Sequence, residues 1–594
     1  MMVEPSSELQ TARRRLEEIP GYYLIKDLYW DGNVSCWVLK FGMTVSVGSN
    51  PYQIPDTTEW YAVLSENYPW GKIQVYPAKE NGISLTFQHQ HHNNLPTKNE
   101  WRSGDLCLST TFGAFSLRGF NSEPMQANDR LFWHIWRCKM WLQAASNDEL
   151  APSGQLFEMP YFPLSALGKF IFSENQQTYQ ILISSNKTSG LADVILHEGK
   201  TSFFVSGFSE FNGNQIFSNV WNTSIDCPQA KHKNSVWMLL DFVPVLGPWE
   251  APVTWGDLYT IGTKHGVDIQ KLLTEIFIKG YKHDAESLLL GFPVPERIGG
   301  AAVQIHWQPI CLPPKRRLKG FRPGQEGEEL ARRGFNKNKT IDWMESQNSD
   351  INTISARGRH SNLLSEANVL LIGAGAVGSV LAECLVRGCC KNLTIIDKDK
   401  VEIGNMSRHT LTLSALDQCK AQQLAKRLND IFPGTNVTFN RSYIEQVIQF
   451  DGSYLDRFDL IIDATGSDQA LHALSNTISG SNKKFVSISL GLHASKLFYY
   501  QFQGCQDLES EFKIEFSPWL RQEIECTDEN SLPREGIGCW HPLFPARIDD
   551  VWMMSAAAIK LVEAYFLGTS RSGTFIVLAK RGDETFDGID VIRN

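Results

Sequence analysis

A run of six residues, GAGAVG at Gly373–Gly378, lies between a strand-like stretch, NVLLI, and a helix-like one, VGSVLAECLVRG. Gly373, Gly375 and Gly378 permit a tight turn, and the helix that follows offers unpaired N–H groups to a phosphate. Asp397 closes the next strand-like stretch, where a carboxylate accepts hydrogen bonds from ribose hydroxyls. The pattern predicts a nucleotide site and leaves its chemistry open. The choice comes from DKDKVEIGNMSRH, which gathers Asp397, Asp399, Asn405 and Arg408 in one loop, and from Lys420 at the opening of the next helix. Hydride transfer happens at a nicotinamide and needs no cations around the phosphates. Attack of a carboxylate on an α-phosphorus builds negative charge there, which cations stabilise. Asp463, in FDLIIDATGSD, falls just past a buried strand, at the edge where ligands of open α/β sheets collect, and can hold Mg²⁺ against a triphosphate.

Acyl-adenylates hydrolyse readily, and a thiolate that catches the acyl group keeps much of its activation as a thioester. Cys539 lies in the glycine-rich REGIGCWHPLFPARIDD beside His541, a setting that favours an exposed, activated thiol. Cys107, in WRSGDLCLST, follows a sheet-like region and precedes a helix. Cys526 in EIECTDEN has acidic neighbours that hold it as an inert thiol, and it is assigned to packing with the others, including Cys389 and Cys390. His89, His91 and His92 have no partner at ligand spacing and read as a solvated loop.

The elements that must carry these residues fall into four stretches. Residues 1–150 begin with short, aromatic-rich alternating runs from about Gly21 to Phe87, predicting a small antiparallel sheet, and end in a helix from Asn128 to Ser146. Residues 151–312 mix strand-like pieces with one helix at Asp268–Tyr281 and show no catalytic constellation. Residues 313–355 open on PPKRRLKGFRPGQEGEELARRGFNKNK, basic and rich in Pro and Gly, which predicts a linker or exposed arm. Residues 356–594 alternate strand and helix from Asn368, predicting a parallel sheet covered on both faces.

The chain has 594 residues, 42% hydrophobic, enough for several cores. A net charge of -9 gives no global pull toward nucleic acid or an anionic membrane. Twelve cysteines without a CxxC pair predict neither a disulfide scaffold nor a structural zinc. The N-terminus lacks the apolar run of a secretory signal, so a reducing cytoplasm is expected.

Taken together, GAGAVG, IIDKDKVEIGNMSRH, CKAQQLA and DATGSD resemble the activating-enzyme superfamily, E1-like and ThiF/MoeB-like, over about 220 residues. The resemblance implies a Rossmann-like adenylation domain that joins ATP to a protein's C-terminal carboxylate. Asp397 would bind ribose, Asn405, Arg408 and Lys420 the phosphates, and Asp463 the metal. The usual Arg-Gln is Arg408-His409 here, and Arg357 and Arg359 are the candidates for an arginine reaching across a homodimer. GDLCL resembles the catalytic segment of E2-like (UBC-like) conjugating domains, with His91-His92-Asn93 in place of His-Pro-Asn. The whole is similar to the E2–E1 fusion ligases of CBASS anti-phage operons, the CD-NTase-associated family. That implies an α/β multidomain enzyme with an α+β E2-like domain, an α+β middle linker domain and the adenylation domain. Its partners would be a CD-NTase with a free C-terminus and an acceptor amine, and its acyl group would pass through Cys539 and then Cys107. The alternatives are a ThiF/MoeB-type sulfur-carrier adenylyltransferase and a dinucleotide-dependent oxidoreductase.

Overall fold

A computed structural model describes the chain except residues 1–3, 96–97, 109–122, 198–200, 315–325, 503–506, 529, 531, 535–542, 571–574, 583–586 and 594. Three sheets organise it. The first is an antiparallel meander of β1 (Tyr22–Asp31), β2 (Cys36–Thr44), β3 (Thr57–Ser65) and β4 (Ile73–Pro77). Alternation puts Trp37, Leu39, Phe41, Trp60, Leu64 and Val75 into one core, against Leu131, Ile135, Cys138 and Leu142 of the helix Ala127–Asn147. That helix ends at Asp148, whose left-handed backbone turns the chain out. The expected small sheet and following helix are therefore present. After β4, Ala78 bridges to Trp101 and Gln90 to Leu106, and the Leu106 N–H donates to Val75 of β4, which sets Cys107 at the sheet's end.

The second sheet holds β5 (Leu164–Phe172), β6 (Ser189–Leu196), β7 (Ser202–Ser209), β8 (Gln215–Ser218), β9 (Lys231–Leu239), β10 (Ser287–Pro295), β11 (Ala302–Cys311) and β12 (Trp343–Asn348). Its order is β5-β12-β11-β10-β9-β6-β7-β8, and it curls until β5 also meets β7. Phe170, Phe172, Phe208, Trp237 and Trp307 fill one face. The helices Trp255–Lys264 and Ile269–Lys282 cover the other, each begun by a side-chain cap, Thr254 and Asp268. The expected linker at 313–355 is corrected here. A helix, Glu326–Gly334, buries Leu330 and Ala331 in the middle core, and β12 lies between β5 and β11 with Trp343 fully buried. Apolar residues in a polar, basic stretch are few, but these are the ones that pack.

The third sheet runs β15 (Asn436–Asn440), β14 (Asn392–Ile396), β13 (Asn368–Ile372), β16 (Leu460–Asp463), β17 (Lys484–Leu490), β18 (Lys496–Phe502), β19 (Phe575–Lys580) and β20 (Ile589–Arg593). The first five are parallel, as expected, whereas β18, β19 and β20 pair antiparallel. Helices Ala376–Arg387, Lys420–Ile431 and Ile548–Phe566 pack on one face, and Ile444–Phe450, Asp468–Ile478 and Leu508–Cys526 on the other. The chain leaves β13 toward β14 and β15, then returns to β16 on the other side. That reversal opens a crevice at the carboxyl ends of β13 and β16. Among the described residues no helix is long and apolar enough to cross a membrane.

Candidate active site

The crevice holds a cavity of about 260 Å³ lined by Gly373, Gly375, Asp397, Asp399, Lys420, Tyr443, Glu445 and Thr465, among others. Gly373 has φ 92, a left-handed turn that favours glycine. A Cβ on Gly378 would lie 1.9 Å from the Gly373 carbonyl oxygen, so the helix can approach the turn this closely only without a side chain there. Gly375, the residue capping the helix Ala376–Arg387, makes no side-chain cap, and a Cβ on it would meet nothing within 4 Å. The first N–H groups of that helix therefore have no side-chain cap acceptor, which fits a phosphate.

Asp397 is fixed beside the turn. Its Oδ2 accepts the Ala374 N–H and its Oδ1 the Asp399 N–H, each at 2.7 Å. Burial pushes its carboxyl up, and these two bonds oppose the shift. Lys420 places Nζ 3.5 Å from Asp399 and lines the same cavity. His409 is buried, with Nε2 bonded to the Ala374 carbonyl at 2.6 Å and Nδ1 accepting the Leu411 N–H at 3.1 Å. One ring nitrogen donates and one accepts, as in a neutral imidazole, and burial lowers its pKa accordingly.

Two residues expected at the phosphates do not line the cavity. Arg408 does not line the cavity; its guanidinium donates to the Phe544 carbonyl, tying this loop to the chain that leads into the helix Ile548–Phe566. Asn405 accepts the Glu402 N–H at 3.0 Å and caps its own short turn. Asp463 is 2% exposed and does not line the cavity, although Ala464 and Thr465 after it do. Its carboxylate accepts from the Thr465 N–H at 3.0 Å and hydroxyl at 2.7 Å and from the Ser487 hydroxyl at 3.4 Å. Burial, with Glu445 nearby, raises it. Glu445 keeps a buried Oε2 without a hydrogen-bond partner among the described residues. A buried, raised Asp463 carboxyl with the Glu445 carboxylate near it, beside the cavity, fits a divalent cation. Among the described residues there is no cluster of three or more His, Cys, Asp or Glu suited to a metal. Sequence reasoning passed over Tyr443 and Glu445, which follow β15 without any motif; their only signal is that they stand past the end of a parallel strand.

Cys539 and His541 lie outside the described residues. Cys107 is exposed at a second cavity, about 890 Å³, between the first sheet's helix and the middle sheet. His89, Arg137, Trp141 and Glu149 line it from the N-terminal side, Gln155, Leu156 and Arg297 from the other. The three histidines are not a uniformly solvated loop: His91 Nδ1 lies 2.8 Å from Asp105, His92 stacks on Tyr161, and His89 faces the cavity. Asn93 is buried, its amide donating to the Ile83 and Leu85 carbonyls and accepting from Arg102. Both of its N–H groups are spent on the backbone, so it braces the loop and offers no hydrogen to an oxyanion.

An open α/β sheet with a phosphate cradle at its reversal point and an acid and a cation around it defines a ThiF-type fold. Residues 347–510 match the ThiF family, and residues 148–349 match the Cap2 central linker domain. An ATP-dependent ubiquitin transferase-like protein Cap2 from Enterobacter hormaechei subsp. hoffmannii (strain UCI 50) is 32% identical over 542 residues, 89% of each chain. A Cap2 from Escherichia coli (strain TW11681) is 33% identical over 20% of this chain and 21% of its own length. Ubiquitin-like modifier-activating enzyme 5 of Aedes aegypti is 36% identical over 15% of this chain and 22% of its own. The chain belongs to the Cap2 family of ATP-dependent ubiquitin transferase-like proteins, enzymes of the E1/E2-like type.

Proposed function

We propose that the chain adenylates the C-terminal carboxylate of a partner protein, captures the acyl group on Cys539, passes it to Cys107 and conjugates it to an amine. The cavity at the end of β13 and β16 carries this reading: an uncapped helix N-terminus, Lys420 and Asp397 converge there. A carboxylate oxygen attacks the α-phosphorus of ATP and pyrophosphate leaves, with Lys420 and the helix N–H groups taking the charge. Asp463, with Glu445 beside it, would hold Mg²⁺, which neutralises triphosphate charge. Cys539 sulfur then displaces AMP, Cys107 sulfur displaces Cys539, and an amine displaces Cys107. The N-terminal sheet and helix act as the E2-like domain, and its cavity receives the acyl tail. The partner is a CD-NTase of an anti-phage operon, the acceptor a lysine, the working form a cytoplasmic homodimer through the third sheet's domain.

Mixing the chain with ATP, Mg²⁺ and the candidate CD-NTase, with non-reducing gels, tests the order. Lys420→Met is expected to lose pyrophosphate exchange. Cys539→Ala keeps exchange without any thioester, and Cys107→Ala accumulates thioester on Cys539. A Cys107→Ala chain that completes the conjugate overturns the relay and points to sulfur-carrier chemistry.

A further inference from the structure

Two features converge on the wall of the Cys107 cavity. His89 and Cys107 are joined through the backbone, the Cys107 N–H donating to the His89 carbonyl at 2.8 Å, and both side chains line the same space. Glu158, delivered 69 residues later by the chain entering the middle part, has Oε2 2.8 Å from the His89 N–H and 3.4 Å from His89 Nδ1. A carboxylate 3.4 Å from Nδ1 favours the tautomer with the proton on that nitrogen, in which Nε2 has its lone pair. His89 also sits at φ 58, a left-handed conformation histidine seldom adopts, and lines the cavity. A base with an orienting carboxylate, beside an exposed thiol, is the arrangement that group transfer requires.

We propose that His89, positioned by Glu158, accepts the proton of the amine that attacks the Cys107 thioester; this rests on Cys107 carrying the acyl group. The amine nitrogen forms a bond to the acyl carbon, the carbon–sulfur bond breaks with its electron pair leaving on Cys107, and the nitrogen's proton passes to Nε2. The other charged groups lining the cavity are Glu149 and Arg137 from the first part and Arg297 from the turn before β11. Asn93, the residue that the His-Pro-Asn likeness suggests, is committed to the loop, which leaves His89 as the polar ring at this wall.

The test uses the full chain and needs no partner protein. A synthetic peptide α-thioester is exchanged onto Cys107 without ATP, excess is removed, free lysine is added, and loss of the acyl-Cys107 peptide is followed by mass spectrometry. Cys526, which is exposed and not packed as its sequence setting suggested, takes up the same peptide and gives the uncatalysed rate. Cys107 is expected to discharge faster than Cys526, and His89→Asn, which tolerates the left-handed backbone, to slow it about 10²-fold. Glu158→Gln slows it less, and both variants keep wild-type unfolding curves. Discharge at the wild-type rate in both variants overturns the inference. A wild-type Cys107 adduct no more reactive than the Cys526 adduct overturns the acyl-carrier reading beneath it.

Discussion

Replacing two glycines of one turn by alanine separates packing from phosphate binding. At Gly378 a Cβ would sit 1.9 Å from the Gly373 oxygen and 2.9 Å from its carbon. The turn cannot yield easily, because Gly373 N–H bonds to Ile396 and Ala374 N–H to Asp397. The helix must therefore retreat, a strain of about 1–3 kcal/mol. Gly375 has φ -79, ordinary for alanine, and open space around its Cβ. Gly375→Ala should leave stability unchanged or raise it by about 0.4–1 kcal/mol through the unfolded chain. The added methyl stands where a phosphate would meet the helix N–H groups. Losing one such charged hydrogen bond, about 1.5–3 kcal/mol, weakens ATP binding by roughly 10- to 100-fold. Urea unfolding and pyrophosphate exchange on both variants measure the two effects. Wild-type exchange in Gly375→Ala would refute the phosphate cradle, and an unchanged urea midpoint in Gly378→Ala would refute the packing argument.

Two further outcomes follow from buried polar groups. Asn93→Ala should destabilise the N-terminal part by about 1–3 kcal/mol, since it strips the Ile83 and Leu85 carbonyls and Arg102 of a partner; unchanged stability with slowed thioester discharge would return Asn93 to the chemistry. Burial raises Glu174 to about 7, well above its unfolded value of about 4.3. Its stabilisation is thus complete below the unfolded value and is lost as pH rises through 7. Melting temperature should fall over that window in the wild type and fall less in Glu174→Gln; equal slopes would contradict the assignment.

The crevice was legible because its signals are local: a strand, three glycines and a helix within a few residues, then an acid at the end of the next strand. Direction of side chains was not. Arg408 lies in the expected loop, but the loop's own turn, capped by Asn405, sends its guanidinium to Phe544. The middle sheet was legible only in pieces, because β5 and β12 pair across about 175 residues and no local pattern marks that register. β12 reads WMESQN, two-thirds polar, and follows a basic, glycine-rich run, so composition pointed away from a strand. His89 and Glu158 were invisible as a pair for the same reason: docking of two parts of the chain brings them together, and spacing carries no trace of it.

The middle part grips both neighbours. Asn222 donates to the Asn429 and Phe432 carbonyls at 2.8 Å, at the far end of the helix that Lys420 begins, while Glu250 accepts the Thr86 N–H at 3.0 Å. A piece held at each end behaves as a strut and not as a tether. On the proposed relay, the effective concentration of Cys107 at the acyl donor is then set by geometry, with values of zero or very high, and not by the gradual falloff of a flexible leash.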